Sequence, residues 1–306
     1  MGMFHCPFGN PFYDCEGCID CGMCLATTKE GMIEASRKVR DYLRSHQKNS
    51  GVVRKIAVCG KGGTGKSTIV ALLAHALRGE GRSVLVIDID ESNPGLFRLF
   101  GFKKEPLPLM TLLSRCSAGQ QGVDAEWLNR DEIAIKDIPS EYSISSDGLT
   151  FLMVGKIEDP FQGCACSMAD VTRTLVGKLA TKDREVVLID MEAGVESFGR
   201  GVERSVDTVL VAVEPSFESR ALAERIHYMA EGMGIGRIRV ILNKVPSEEI
   251  KQKMIDGLAR ANVKIIGTVY LDPQISEASF EGRALGDSKA KDDMKAIARA
   301  LMAEVS

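Results

Sequence analysis

At 306 residues the chain has room for one large domain or two unequal ones, and 44% hydrophobic with 26% charged residues is an ordinary soluble, globular composition. A net charge of −3 gives no electrostatic case for a nucleic-acid partner. The first thirty residues lack an apolar secretory core, and the longest apolar run, IVALLAHAL, is interrupted by His75 and too short for a bilayer, so the expectation is a cytoplasmic chain with no membrane partner.

The cysteines, nine in all, are unevenly placed. Cys6, Cys15, Cys18, Cys21 and Cys24 lie in the first 24 residues, Cys164 and Cys166 form a pair, and Cys59 and Cys116 stand alone. Disulfide frameworks suit small secreted domains, so clustered thiols here point to metal. Cys59, inside the apolar run KIAVCG, reads as a small core residue. The stretch CEGCIDCGMC, residues 15–24, repeats cysteine every third residue, and its CIDCGMC portion resembles the cluster loop of bacterial ferredoxins. That resemblance implies a 4Fe–4S cluster held by four of the five head cysteines, with Cys6 of HCP and Cys15 competing for one place. The usual C-x3-C-P is absent, and zinc is the alternative occupant.

Next comes KEGMIEASRKVRDYLRSH, in which Met32, Ala35, Val39 and Leu43 recur at the spacing of an amphipathic helix. Residues 1–47 are therefore expected to form an accessory module, for redox sensing or docking to an iron–sulfur partner. The polar QKNSG, residues 47–51, divides it from a second domain at 52–306. There the runs KIAVCG, SVLVIDID, LTFLMVGK, EVVLIDME, TVLVAVE, IRVILNKV and VKIIGTVY alternate with helical stretches. Strands so uniformly apolar belong to a sheet covered on both faces, hence an α/β fold with a mostly parallel sheet and helices on both sides. The tail MKAIARALMAEVS reads as a packing helix, not a membrane anchor.

GKGGTGKST, residues 60–68, follows the first of these strands and opens a helix, the setting a phosphate-binding loop requires. Gly60, Gly62, Gly63 and Gly65 let backbone N–H groups approach phosphate; Thr64 and Thr68 complete the loop, Lys66 meets the β- and γ-phosphates, and Ser67 ligates Mg2+. The additional early lysine, Lys61, resembles the deviant Walker A loop of the MinD, ParA and nitrogenase iron-protein class of ATPases. That resemblance implies ATP as substrate and a homodimer in which Lys61 reaches the opposite subunit's nucleotide. It extends to VLVIDIDESNPGL, with Asp88 near the metal and Asp90 orienting water, and to VVLIDMEAG, with Asp190 holding Mg2+ through water and Gly194 sensing the γ-phosphate. By the same resemblance Asn243 of ILNKV reads adenine, and YLDPQISEA, with Pro273, closes over the base.

Phosphoryl transfer in such a site is largely positioning and charge stabilisation, so accessory features must say what the hydrolysis drives. GCACSMAD, residues 163–170, is that feature. Cys164 and Cys166 precede a helical stretch in which Ser167 and Asp170 fit a capping box, and a helix N-terminus favours thiolate. One chain supplies two ligands where a tetrahedral or square-planar ion takes four, and a two-fold dimer supplies the rest. GCACSM together with IDMEAGVESFGRGVERSVDTVLVAVEPS resembles the CooC group, nickel-binding ATPases that mature carbon monoxide dehydrogenase, with acetyl-CoA synthase maturation factors nearby. The group implies Ni2+ at the paired cysteines and delivery to an apo-enzyme client; Zn2+ suits the same thiolates. A competing resemblance, to the electron-donating nitrogenase iron protein, would bridge a cluster across the dimer through one cysteine near Cys164 and a second after Asp190, where this chain has Ser197. A ParA- or MinD-like positioning role would call for a basic face or a membrane helix at the tail.

Overall fold

The computed structural model describes residues 28–45, 53–90, 95–112, 126–155, 165–195, 205–259 and 261–304. The five head cysteines, the expected boundary at 47–51, Cys116 and Cys164 lie outside the described residues.

In chain order the elements are α1 (Lys29–Ser45), β1 (Lys55–Gly60), α2 (Lys66–Gly79), β2 (Ser83–Asp88), the single turn α3 (Leu96–Leu99), α4 (Glu126–Asn129), β3 (Ile133–Ala134), β4 (Ser143–Ser146) and β5 (Leu149–Met153). There follow α5 (Ala165–Lys178), β6 (Leu179–Ala180), β7 (Glu185–Asp190), β8 (Thr208–Val213), α6 (Phe217–Gly232), β9 (Arg237–Val245), α7 (Glu248–Ala259), β10 (Ile265–Tyr270), α8 (Pro273–Glu281) and α9 (Lys289–Ala303). Eight strands form one sheet in the order β10-β9-β8-β1-β7-β2-β5-β4, and β3 and β6 make a separate short pair. All neighbours in the large sheet are parallel except β4 and β5.

Each of the seven apolar runs is a strand. The eighth, β4, has the polar sequence SISS and sits antiparallel at the sheet edge. Asp147 and Gly148, with φ of 47° and 77°, form the two-residue turn that joins it to β5, and Asp-Gly suits the positive φ such a hairpin needs.

Alternation along the strands feeds two cores. Ala57, Cys59, Leu85, Ile87, Val187 and Ile189 face one side, where Leu175 of α5, Ile226 of α6 and Leu258 of α7 cover them. Ile56, Val58, Val84, Val86 and Leu188 face the other, beneath Ile69, Leu72 and Leu77 of α2 and Met294, Ile297 and Leu301 of α9. Each Val, Leu, Ile or Met among them contributes about 1.5–3 kcal/mol when fully buried. The tail is therefore a packing helix. Its end is anchored by Glu304, which lies 2.7 Å from an Arg239 guanidinium nitrogen and 2.8 Å from Lys264 Nζ. The amphipathic helix α1 packs against α6, with Ala35 2% exposed.

One local expectation is corrected. Helix α5 begins at Ala165, so Ser167 is its third residue and not its N-cap. Ala-Cys-Ser-Met contains neither glycine nor proline, and nothing in it delays helix initiation to the serine.

Candidate functional site

Strand β1 lies between β7 and β8, and the glycine-rich loop leaves its carboxyl end. Gly60 has φ 144°, and a Cβ there would lie 2.6 Å from the Ala212 carbonyl oxygen of β8, so only glycine fits. Gly63 and Gly65 have φ of 84° and 85°, and Gly65 turns the chain into α2. Such alternating left-handed backbone directs consecutive N–H groups into one concavity at a helix N-terminus, where phosphate oxygens are favoured. Thr64 is fully buried and its Oγ1 donates to the Lys61 carbonyl at 2.8 Å. Gly62 is exposed and approaches Ala193, Thr68 is half-buried in the first turn of α2, and the Gly194 N–H donates to the Gly60 carbonyl at 3.2 Å. The segment after β7 thus touches the loop through its backbone.

The loop is also held from β9. Asn243 Nδ2 donates to the Thr64 carbonyl at 2.7 Å, and Lys244 Nζ donates to the Gly63 carbonyl. Asn243 is 4% exposed, and a Cβ on Gly65 would sit 2.6 Å from its Nδ2. Whatever it does for a base, its amide already fixes the phosphate loop. Pro273 is the first residue of α8 behind the N-cap Asp272. Asp272 Oδ1 accepts from the Gln274 N–H at 2.9 Å and Oδ2 from the Ala290 N–H at 3.0 Å, pinning that loop between α8 and α9.

Below the loop lie three buried carboxylates. Asp88 and Asp190 end neighbouring strands in direct register and are at most 1% exposed; Asp90 is 5% exposed. Ser67 Oγ donates to Asp190 Oδ2 at 2.6 Å, while Asp190 Oδ1 is buried with no hydrogen-bond partner among the described residues. Burial, reinforced by the adjacent Asp88, pushes the Asp190 carboxyl up to about 8, against the Ser67 hydroxyl and Lys66. A hydroxyl, two carboxylates and an unsatisfied buried oxygen fit a hard, oxygen-loving dication such as Mg2+ that draws its remaining ligands from phosphate and water. No group of three or more His, Cys, Asp or Glu poised for a metal occurs among the described residues. The Asp90 N–H donates to Asp88 Oδ1 at 3.0 Å, and Asp90 Oδ2 is 3.9 Å from Nζ of Lys66, itself only 6% exposed.

Lys61 points away from this cluster. Its Nζ is 3.6 Å from Glu214 Oε1, and Lys244 Nζ is 3.7 Å from Glu214 Oε2. Glu214, Lys244 and Asp272 were not expected from the sequence. Only Asp272 had a local signal, an Asp-Pro pair at a helix start.

Cys166 is the second residue of α5. Near the other end of that helix, the Val176 carbonyl accepts from Lys55 Nζ at 2.8 Å, and Lys55 is the first residue of β1. The helix therefore runs back along the sheet, with its N-terminus toward the carboxyl edge that carries the phosphate loop. No helix among the described residues is long and apolar enough to cross a membrane.

Comparisons with known proteins bear on the family and the fold. The CobQ/CobB/MinD/ParA nucleotide binding domain matches residues 55–285. An uncharacterised ATP-binding protein of Methanocaldococcus jannaschii is 36% identical over 237 residues, covering 76% of this chain and 93% of its own. The carbon monoxide dehydrogenase accessory protein CooC of Rhodospirillum rubrum is 34% identical over 259 residues, covering 82% and 97%. Among solved structures, the MinD cell division protein of Aquifex aeolicus superposes with a TM-score of 0.59 at 22% identity, covering 82% of this chain and 98% of its own.

Proposed function

Because this chain belongs to the CobQ/CobB/MinD/ParA family of nucleotide-binding P-loop ATPases, we propose that its ATP hydrolysis serves metal delivery: it binds Ni2+ as cargo through Cys164 and Cys166 in a homodimer and passes it to an apo-enzyme. The client is a nickel–iron–sulfur enzyme such as carbon monoxide dehydrogenase or acetyl-CoA synthase. The observation that carries this reading is that Cys166 of the Cys-x-Cys sequence is the second residue of a helix whose N-terminus lies toward the sheet edge bearing the phosphate loop. The 34% identity to a carbon monoxide dehydrogenase accessory protein supports it.

Each residue has a part in that cycle. The loop N–H groups and Lys66 hold the β- and γ-phosphates, and Ser67, Asp88 and Asp190 hold Mg2+. When bound, Mg2+ supplies charge neutralisation at the phosphate oxygens. Asp90, fixed by its own N–H on Asp88 and by Lys66, orients the attacking water and accepts its proton. Lys61 contributes its charge across the dimer. The head cysteines, with a 4Fe–4S cluster as the expected occupant, form an accessory module beside this machinery.

Anaerobic purification followed by metal analysis tests the reading. Full-length protein should retain nickel that the Cys164→Ser, Cys166→Ser double variant does not, with ATP binding equal in both. Reducible iron at that pair in place of nickel would favour an electron-donating ATPase of the nitrogenase iron-protein kind.

A further inference from the structure

We infer that Glu214 is an intramolecular latch on Lys61, and that it sets how readily the loop lysine is released to a second protomer. The inference rests on the reading that Lys61 acts across a homodimer, and adds the residue that opposes that step.

The Glu214 carboxylate is shared. Oε1 faces Lys61 Nζ at 3.6 Å and Oε2 faces Lys244 Nζ at 3.7 Å. The two lysines are not equally free. Lys244 also donates to the Gly63 carbonyl and sits at φ 55° in β9, beside the Asn243 that grips Thr64. Lys61 lies in the exposed part of the loop, with 40% of its side chain accessible, and Glu214 is its carboxylate among the described residues.

Glu214 itself is fixed. Its N–H donates to Ser219 Oγ at 3.1 Å, its carbonyl accepts from the Ser216 N–H at 2.7 Å, and Ser216 Oγ caps α6 by accepting from the Ser219 N–H at 3.2 Å. Lys61 is thus the mobile member. When it swings out, Glu214 keeps Lys244 as a counter-ion, so no carboxylate is stranded and the loop stays tethered through Gly63.

Breaking one partly exposed ion pair shifts an equilibrium by roughly two- to fivefold. A symmetric dimer breaks two. Closure is therefore opposed by roughly 4- to 25-fold, a cost that nucleotide-linked contacts must exceed for the dimer to form. Lys244 lies next to Asn243, so the latch also links the base-side strand β9 to the lysine that leaves.

The test is the dimer dissociation constant of the full chain by sedimentation equilibrium, with Mg2+ and saturating non-hydrolysable ATP analogue. Wild type, Glu214→Gln, Lys61→Ala and the double variant are compared. Glu214→Gln should tighten the dimer roughly 4- to 25-fold at about 0.05 M salt, and the gain should shrink at about 0.5 M as the pair is screened. The double variant should stay as monomeric as Lys61→Ala. If wild type dimerises and Glu214→Gln is unchanged or weaker, the latch is overturned while the dimer reading stands. If wild type stays monomeric with the analogue, the dimer reading fails and the latch with it.

Discussion

Ser67 Oγ donates to Asp190 Oδ2 at 2.6 Å, joining the first turn of α2 to the end of β7 across 123 residues of sequence. The bond places the hydroxyl and carboxylate expected to hold Mg2+ side by side, and leaves Asp190 Oδ1 buried and unsatisfied among the described residues. Replacing Asp190 by Asn keeps the shape and removes the charge that the carboxylate would carry beside a bound dication. Steady-state assays should show turnover falling about a hundredfold or more, with the Mg2+ concentration for half-maximal rate rising, because the loss is of positioned charge at the phosphates. An Asp190→Asn enzyme with unaltered Mg2+ dependence would remove Asp190 from the metal site.

Asp90 should separate hydrolysis from binding. Its backbone N–H is held by Asp88 and its carboxylate faces Lys66, and it takes no part in the backbone cradle of the loop. Asp90→Ala is expected to lower the hydrolysis rate by about a hundredfold or more while ATP affinity, read by calorimetry, changes by less than about threefold. Hydrolysis near the wild-type rate would assign the water-orienting role elsewhere.

His75 gives the fold a pH dependence unrelated to catalysis. It lies in α2 against Phe100, with ring centroids 5.9 Å apart, and its Nε2 is buried without a hydrogen-bond partner among the described residues. Burial first, then Lys291 and Arg78, lowers its pKa from 6.5 to about 4. Between those values the unfolded chain binds more protons than the folded one, so stability rises with pH from about 4 to 6.5 and is lost as pH falls through that window. About 2 kcal/mol is expected after allowing for partial screening. Between pH 7 and pH 4.5 the stability of wild type from urea unfolding should fall by about 2 kcal/mol more than that of His75→Leu, which lacks the titrating ring; an undiminished slope in the variant would place the titrating group elsewhere.

The architecture was legible because it rests on short-range pattern. Seven apolar runs became strands, and the glycine spacing of residues 60–68 located the loop. The polar β4 escaped because an edge strand needs no apolar alternation, although its Asp147-Gly148 turn carried a hairpin signal. The start of α5 was placed too late because a serine-and-acid spacing outweighed a stretch with no helix breaker. What the sequence could not show were side-chain meetings between distant segments. Asn243 and Lys244 reach the loop from 179 and 181 residues away, and Glu214 meets Lys61 only because β8 is hydrogen-bonded beside β1. No local spacing encodes such contacts.

The account stands most directly on how much nickel the Cys-x-Cys pair holds. The measurement is equilibrium dialysis of full-length protein against Ni2+ under anaerobic conditions, with ATP analogue present, taking the difference between wild type and the Cys164→Ser, Cys166→Ser variant so that head-cysteine binding cancels. The account predicts a difference of one Ni2+ per two chains, which weakens as pH falls because protons compete for the thiolates and disappears on dilution to monomer. A difference of one ion per chain that survives dilution, or no difference at all, would contradict it.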